Sequence, residues 1–556
     1  MDIIKMFSKN GLLFCCLFCF SISPVFAQTK KERKAIAKEN AVIQANIQNH
    51  ISYLADDKLE GRRSGTVGEQ LAMNYIEKCF TNYGLLPAGK NGFIQAFEIN
   101  EGKSFASANN FFKIADKQLQ PGEDYYPLSF SGNGSINSNL SPSLREDAQP
   151  WFLDVNDMLE DNQNNPHFDI MDAIFKEAKQ SAKTATALIL YNSGKLTDNI
   201  LFNKYDSAGM LNIPVVYITK KGMTNAIKDI TDYLDIELSV NLVDQKRTAH
   251  NVVGYINNNA VNTIILGAHY DHLGYGEDGN SLDGAGSIHN GADDNASGTA
   301  ALIELARLLK KSTSKNNNYL IMAFSGEELG LLGSKYWLSN PSYIMKPNYM
   351  INMDMVGRYE DSRKLTIGGY GTSPYWSNIF SKLPLNNLQV KFDSSGSGPS
   401  DHASFYRNKI PVLFFFTNSH SDYHKSTDDA EKINYAGETQ IIQLIQNIIK
   451  EADSKGVFPF LQTKDAEVKN VKLPVTLGVL PDYGYTGTGM RIEGVSKGKT
   501  AERIGLQAGD VLIQIGEYKF VDVQSYMTTL QHFHKGDSTI LHFKRGEKEM
   551  TLEFTF

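Results

Sequence analysis

Between Asn251 and Asp453, apolar runs of strand length alternate with amphipathic runs of helix length, and this alternation limits the fold more than any other feature. The segment TIILGAH reads as a buried strand, ASGTAALIELARLLKK as a helix and NYLIMAFS as a second buried strand. EELGLLGSKYWLS then reads as a helix, YMINMDMVG as a strand, and Gly437 to Asp453 as a closing helix. Strands that are apolar throughout must be covered on both faces, which predicts a layered α/β domain with a largely parallel central sheet. In such sheets, ligands bind beyond the carboxyl ends of the strands.

Acidic and imidazole side chains stand at those ends. In order they are His269 with Asp271 (GAHYDH), Asp294 (GADDNASG), Glu327-Glu328 (SGEELG), Asp354 (NMDMVG) and His424 (DYHKST). Histidine nitrogen and carboxylate oxygen are the donors that zinc accepts. Two neighbouring cations need one shared carboxylate to offset their repulsion, and two further ligands on each leave room for a bridging water. Two His and three carboxylates meet that demand, and a further carboxylate stays free for proton transfer. Adjacent Glu327 and Glu328 can divide these roles. Asp271, two residues after His269 on an extended strand end, points to the same side and is placed to orient the imidazole. Spacing alone leaves the bridge open between Asp293 and Asp294.

Around this centre the chain divides. At 556 residues it is too long for one domain. Lys5 and Lys9 precede an apolar run from Gly11 to Phe20 and a Val25-Phe26-Ala27 end, the pattern of a secretory leader cleaved near Ala27. Cys15, Cys16 and Cys19 leave with it, so Cys79 alone remains and an internal disulfide is excluded. The expected setting is periplasmic or secreted, with no transmembrane segment after cleavage. A net charge of −7, with no basic run beyond Lys30-Lys31, argues against nucleic acid as a partner. Lys30 to Glu39 reads as a solvated helix, and Leu71, Tyr75, Ile76 and Phe80 give a further helix that stops at Gly84. From about Ala108 to Gln245, Asn/Ser/Gly clusters alternate with short strands such as ALILYNS and IPVVYIT, a texture that predicts a β-rich insertion carrying some helix. Beyond Lys472 comes a unit of strands and two helices ending at Phe556.

Taken in order, GAHYD, GADDNASG, SGEELG, NMDMVG and DYHKSTDD resemble the co-catalytic di-zinc aminopeptidase family, which includes bacterial secreted leucyl aminopeptidases and glutamate carboxypeptidases. The opening segment YLADDKLEGRRSGTVGEQLA is similar to that of many members. The likeness implies a three-layer zinc-peptidase fold over 28–107 and 246–455, following a signal peptide at 1–27. It also implies a protease-associated domain inserted at 108–245 and a PDZ-like domain at 472–556. By motif, His269 and Asp354 would hold one zinc, Glu328 and His424 the other, and Asp294 would bridge them, being the residue separated from the pair Ala296-Ser297 by one position. Glu327 would be the general base, Asp271 the partner of His269, and Tyr423 a donor to the oxyanion. The expected cofactor is two Zn2+, with Co2+ or Mn2+ as substitutes.

The expected activity is removal of N-terminal residues from peptide or protein substrates. A carboxypeptidase or dipeptidase on the same metals is the rival enzyme, and a peptide-binding protein with structural metals is the rival outside catalysis. The PDZ-like unit would take a C-terminal peptide, with GYTGTGM supplying amides for its carboxylate, or serve only as a stabilising appendage. The insertion reads as a lid over the cleft. Around the motifs, Asp401-His402 reads equally as pocket lining or structural hydrogen bonding. His272 and His289 read as solvated or structural, and the oxygen-rich run Asp278 to Gly284 as a turn rather than a calcium loop.

Overall fold

A computed structural model describes residues 30–556 apart from 106–108, 164, 166–167, 199, 205, 207, 361–363, 386–387, 464–473, 482–487, 497, 521–522 and 547. The leader, and residues 484–487 of the GYTGTGM segment, lie outside the described residues.

Among the described residues, the central sheet has nine strands. Its middle runs Asn317–Phe324, Asn262–His269, Pro347–Met353 and Val412–Phe416, each pair parallel. Antiparallel strands close both sides, Val243–Ile256 against Asn317–Phe324 and Leu365–Gly368 against Val412–Phe416. The strand Asn262–His269 has the next strand in sequence on one side and the one after that on the other. The chain thus reverses its direction of travel across the sheet at this strand, and a crevice opens beyond its carboxyl end, where His269 stands.

Side chains of the central strands are buried to both sides, as their unbroken apolar character requires. Ile264, Leu266 and Ala268 join the large core under the helices Lys30–Leu54, Val67–Asn82, Gly298–Lys310 and Tyr435–Ala452, whereas Ile265, Leu320 and Met322 join a second core with Trp337 and Phe405. The result is the three-layer α/β architecture that the alternation predicts. Two details differ from the sequence reading. The solvated helix at Lys30 continues unbroken to Leu54, because Ile43, Ile47, Ile51 and Leu54 form a buried stripe at helical spacing. The helix expected from Glu327 begins only at Leu332, since Leu331 adopts a φ of 62° and the residues before it form a turn.

Strands Ile94–Ser104 and Val243–Ile256 pair into a long antiparallel ribbon that carries the insertion. There, an antiparallel sheet of four strands and a second four-stranded sheet, three of whose strands run parallel, share a core of Phe112, Ile114, Ile189, Val216, Ile236 and Leu238. The helix Ile170–Ser181 covers the other face of the second sheet through Ile174 and Ala178. The C-terminal unit has its own core around Ile492, Leu512, Leu541 and Phe543.

Candidate metal centre

The fold brings the predicted donors together as two groups that share one residue. His269 ends its strand with Nε2 3.4 Å from Asp294 Oδ1 and 3.3 Å from Asp354 Oδ1. On the other side, His424 Nε2 lies 3.4 Å from Asp294 Oδ2 and 3.1 Å from Glu328 Oε2. Asp294 therefore offers one oxygen to each group. Asp293 turns away: its oxygens accept from Gly357 N, Ser297 Oγ and the ring of His420.

Backbone constraints place Asp294. Gly291 has φ +54°, and a Cβ on it would lie 2.1 Å from the Asp294 carbonyl oxygen and 2.4 Å from the His272 ring. The Asp428 carboxylate accepts from the amides of both Asp293 and Asp294, at 2.9 and 3.1 Å. Asn295 ties this loop to the Asp354 strand, donating to Met353 O and accepting from Met355 N.

Tautomers follow from what each ring nitrogen faces. His269 Nδ1 faces the Asp271 carbonyl at 3.2 Å and His424 Nδ1 the Asn280 carbonyl at 2.8 Å, so in each neutral ring the proton sits on Nδ1. Each Nε2 then presents a lone pair to carboxylate oxygens, which are also acceptors. Only a cation or a proton between them makes that arrangement stable. Donors bound at about 2.0–2.1 Å to one tetrahedral zinc stand about 3.3 Å apart, and the N–O separations here are 3.1 to 3.4 Å. Five donors of the right chemistry at this spacing fit two divalent ions, one per group.

Charge around the centre is severe. Burial, reinforced by the neighbouring carboxylates Asp354, Glu328 and Asp401, pushes Glu327 well above its ordinary value, against the opposing field of His269. Burial also drives Glu328 upward, but His424 and the hydrogen bonds from His272 and His424 outweigh it and hold the group down to about 2. Neighbouring residues thus have opposite tendencies: one carboxylate is held ionised among imidazoles, the other is inclined to keep a proton.

Asp271 differs from the expected arrangement. Its carboxylate is 3.8 Å from His269 Nδ1, while its backbone carbonyl makes the closer contact. The carboxylate instead accepts from Ser64 Oγ at 2.8 Å and from Glu327 N at 3.2 Å, and so fixes the backbone of the candidate base. Tyr423 stacks on His424 with centroids 3.9 Å apart, and burial, with the field of Asp294 and Glu328, keeps its phenol protonated.

Sequence reasoning underrated several groups. His272 is buried with Nδ1 2.7 Å from Glu328 Oε1. It also lies close enough to Asp294 to complete a three-donor group with it and Glu328. Burial lowers its basicity, so the ring is neutral with its proton on Nδ1, directed at the carboxylate. It therefore orients Glu328 rather than offering that nitrogen to a metal, leaving Oε2 beside His424. His289 is structural, bonded to Ser281, Asp283 and Ser287 O. His402 stacks on Phe414 at 4.2 Å, and burial raises Asp401 to about 7. Arg62 carried no role in the sequence reading. It is fully buried and donates to the carbonyls of Tyr270, Asn290 and Gly291, which flank the His269 and Asp294 motifs, and to that of Leu54 at the end of the first helix. Burial lowers it to about 10, so it stays charged behind the acidic centre.

The profile of Peptidase family M28 matches residues 251–449. Aminopeptidase YwaD of Bacillus subtilis is 27% identical over 316 residues, 53% of this chain and 63% of its own length. Leupeptin-inactivating enzyme 1 of Streptomyces exfoliatus is 32% identical over 166 residues, 28% of this chain and 37% of its own. The chain thus spans less than two thirds of the length of each of these curated relatives. Among solved structures, BSAP, a zinc aminopeptidase from Bacillus subtilis, aligns at 21% identity over 74% of this chain and 95% of that one, with a TM-score of 0.41. The stretch 251–449 that matches the profile of Peptidase family M28 contains His269, Asp294, Glu327, Glu328, Asp354 and His424.

Proposed function

We propose that the chain is an exported metallo-aminopeptidase that uses two zinc ions to release N-terminal residues from peptides. The observation that carries this reading is Asp294, whose two oxygens each face a pair of His and carboxylate donors. When bound there, the ions would supply Lewis-acid polarisation of the scissile carbonyl and a water of lowered pKa. Cobalt or manganese would suit the same donors.

The chain's own groups do the rest. Glu327, held through its amide by Asp271, takes the proton of the attacking water and returns it to the leaving amine. Tyr423, kept protonated, donates from its hydroxyl to the developing oxyanion. The groups acting on Glu327 are His269 and the carboxylates Asp354, Glu328 and Asp401. An N-terminal ammonium is the end of the substrate that this reading requires the centre to receive. Aminopeptidase activity in YwaD and its like, by name, points the same way.

Export rests on the leader pattern; among the described residues no helix is long and apolar enough to cross a membrane. We assign the insertion at 108–245 the part of a wall or lid, and the unit at 472–556 that of a receiver for a peptide chain end. Digestion of a peptide panel with mass readout tests the activity. Stepwise shortening from the amino end is expected; shortening from the carboxyl end overturns the reading.

A further inference from the structure

Outside the donors themselves, the least explained feature is a compact group of charges at the root of the ribbon. Asp278 receives Arg63 through two parallel bonds of 2.7 Å, Nε to Oδ2 and Nη2 to Oδ1. Arg247, on the strand Val243–Ile256, adds a contact of 3.1 Å. Glu101, on the partner strand, accepts from Arg63 at 3.3 Å and forms an ion pair with Arg247 at 3.1 Å. The side chains of Asp278 and Arg247 are each 10% exposed. Charges this far from water are held in place far more firmly than surface pairs, because the paired geometry is what offsets their lost hydration.

Asp278 begins a strap, 278–289, that packs little of its own. A Cβ on Gly279, Gly284 or Gly286 would meet nothing within 4 Å. Yet this strap touches both donors of one half of the centre. The Asn280 carbonyl receives His424 Nδ1, and the Asn280 amide group donates to Glu328 O at 3.3 Å. Leu282 N bonds His424 O at 2.9 Å, and Asp283 accepts from both N and Oγ of Ser426. His424 holds φ +53°, a conformation that a residue with a Cβ seldom adopts unless its surroundings fix it. The other half is held differently: His269 ends a central strand, and its carbonyl accepts from Thr299 of the core helix.

We infer that the Arg63–Asp278–Arg247 clamp is a positioning device for the Glu328/His424 half of the centre, setting through Asn280 how tightly that half holds its ion. The inference rests on the two-metal reading above. Because Arg247 and Glu101 lie on the ribbon that bears the insertion, the clamp also ties the insertion's root to this half and not to the other.

Zinc competition against a chromophoric chelator tests it on the full chain, without any activity measurement. In a His269→Ala background the remaining ion sits with Glu328 and His424, and Asp278→Asn is expected to weaken it by about 10- to 100-fold, the usual effect of losing a group that orients a ligand. In a His424→Ala background the remaining ion sits with His269 and Asp354, and the same substitution leaves it unchanged. Arg247→Met is expected to reproduce the selective loss and Arg247→Lys to restore most of it, which keeps the test open if Asp278→Asn fails to fold. Equal weakening in both backgrounds, or none in either, overturns the clamp. A wild-type chain that takes up fewer than two ions overturns the two-metal reading beneath it.

Discussion

The two halves of the centre present matching donors on unlike supports. His269 and Asp354 come from the ends of adjacent parallel strands, Asn262–His269 and Pro347–Met353, so the sheet itself sets their spacing. Glu328 and His424 come from a turn and a loop, and their positions depend on His272, Asn280 and the strap behind them. Sheet geometry is shared by many residues and tolerates single changes. Loop geometry rests on a few side chains, each of which can be removed. The difference makes one half a property of the fold and the other a property of particular contacts.

The sharpest way to break this comparison is at Glu327 and Glu328. Adjacent in sequence, they face opposite tasks, and only the second belongs to a half-site. Glu327→Gln is expected to keep two zinc equivalents while turnover falls by about 10²- to 10⁴-fold, the contribution of a positioned proton carrier. Glu328→Gln is expected to lose the loop-held ion as well as turnover, retaining the ion at His269 and Asp354. Zinc content and single-turnover rates on an aminoacyl anilide separate the two; an active Glu327→Gln protein removes Glu327 as the base.

The same contrast explains what could be read from the sequence. TIILGAH, NYLIMAFS and YMINMDMVG are apolar throughout, so both the sheet and the donors at its edge were legible as strand ends. The turn holding Glu327 and Glu328 was not, because EELGLLGSKYWLS has helical composition and only the left-handed Leu331 delays the helix. Asn280 acts on His424 through a carbonyl that any residue carries, so no side-chain pattern could mark it. Arg62 and Arg63 are a doublet in sequence, and doublets of charge usually lie on the surface. The chain instead takes φ values of 47°, 66° and 48° through Glu60, Gly61 and Arg62, which sends one guanidinium into the core and the other to Asp278. A Cβ on Gly61 would stand 2.5 Å from the His289 carbonyl, so the turn is available only to glycine.

Arg62 offers the next test, because it serves both halves at once. It bonds Tyr270 O, one residue past His269, and the carbonyls of Asn290 and Gly291 ahead of Asp294. Arg62→Met leaves four buried carbonyls without their donor, and such groups are costly to strand. The metal-free protein is expected to lose about 3 kcal/mol or more of stability, on the scale of removing a buried charged partner. Chemical denaturation of the metal-free chain measures it. Sharing of the loss between halves is the point of interest: zinc affinity should fall in both the His269→Ala and the His424→Ala backgrounds, unlike the selective effect of Asp278→Asn. A selective effect of Arg62→Met would mean that the sheet-held half does not rely on this side chain.

The smallest expected effect concerns protons. In the metal-free centre, burial works against charge on His269 and His424, but Asp354 and Glu327 around the first and Glu328 and Asp294 around the second overcome it and raise both rings well above their ordinary value. A group raised on folding stabilises the metal-free protein fully below its unfolded value, about 6.5, and that contribution is lost as pH climbs through the raised folded value. A zinc ligand must be neutral, so ion uptake near neutral pH expels these protons and tightens as pH rises. The gap in unfolding temperature between loaded and metal-free protein should therefore widen from about pH 6 to about pH 8. Calorimetric titration in buffers of different ionisation heat counts the protons released in each single-histidine background. Equal release from the two halves shows that their difference lies in mechanical support alone. Unequal release would place part of it in the charges of the donors themselves.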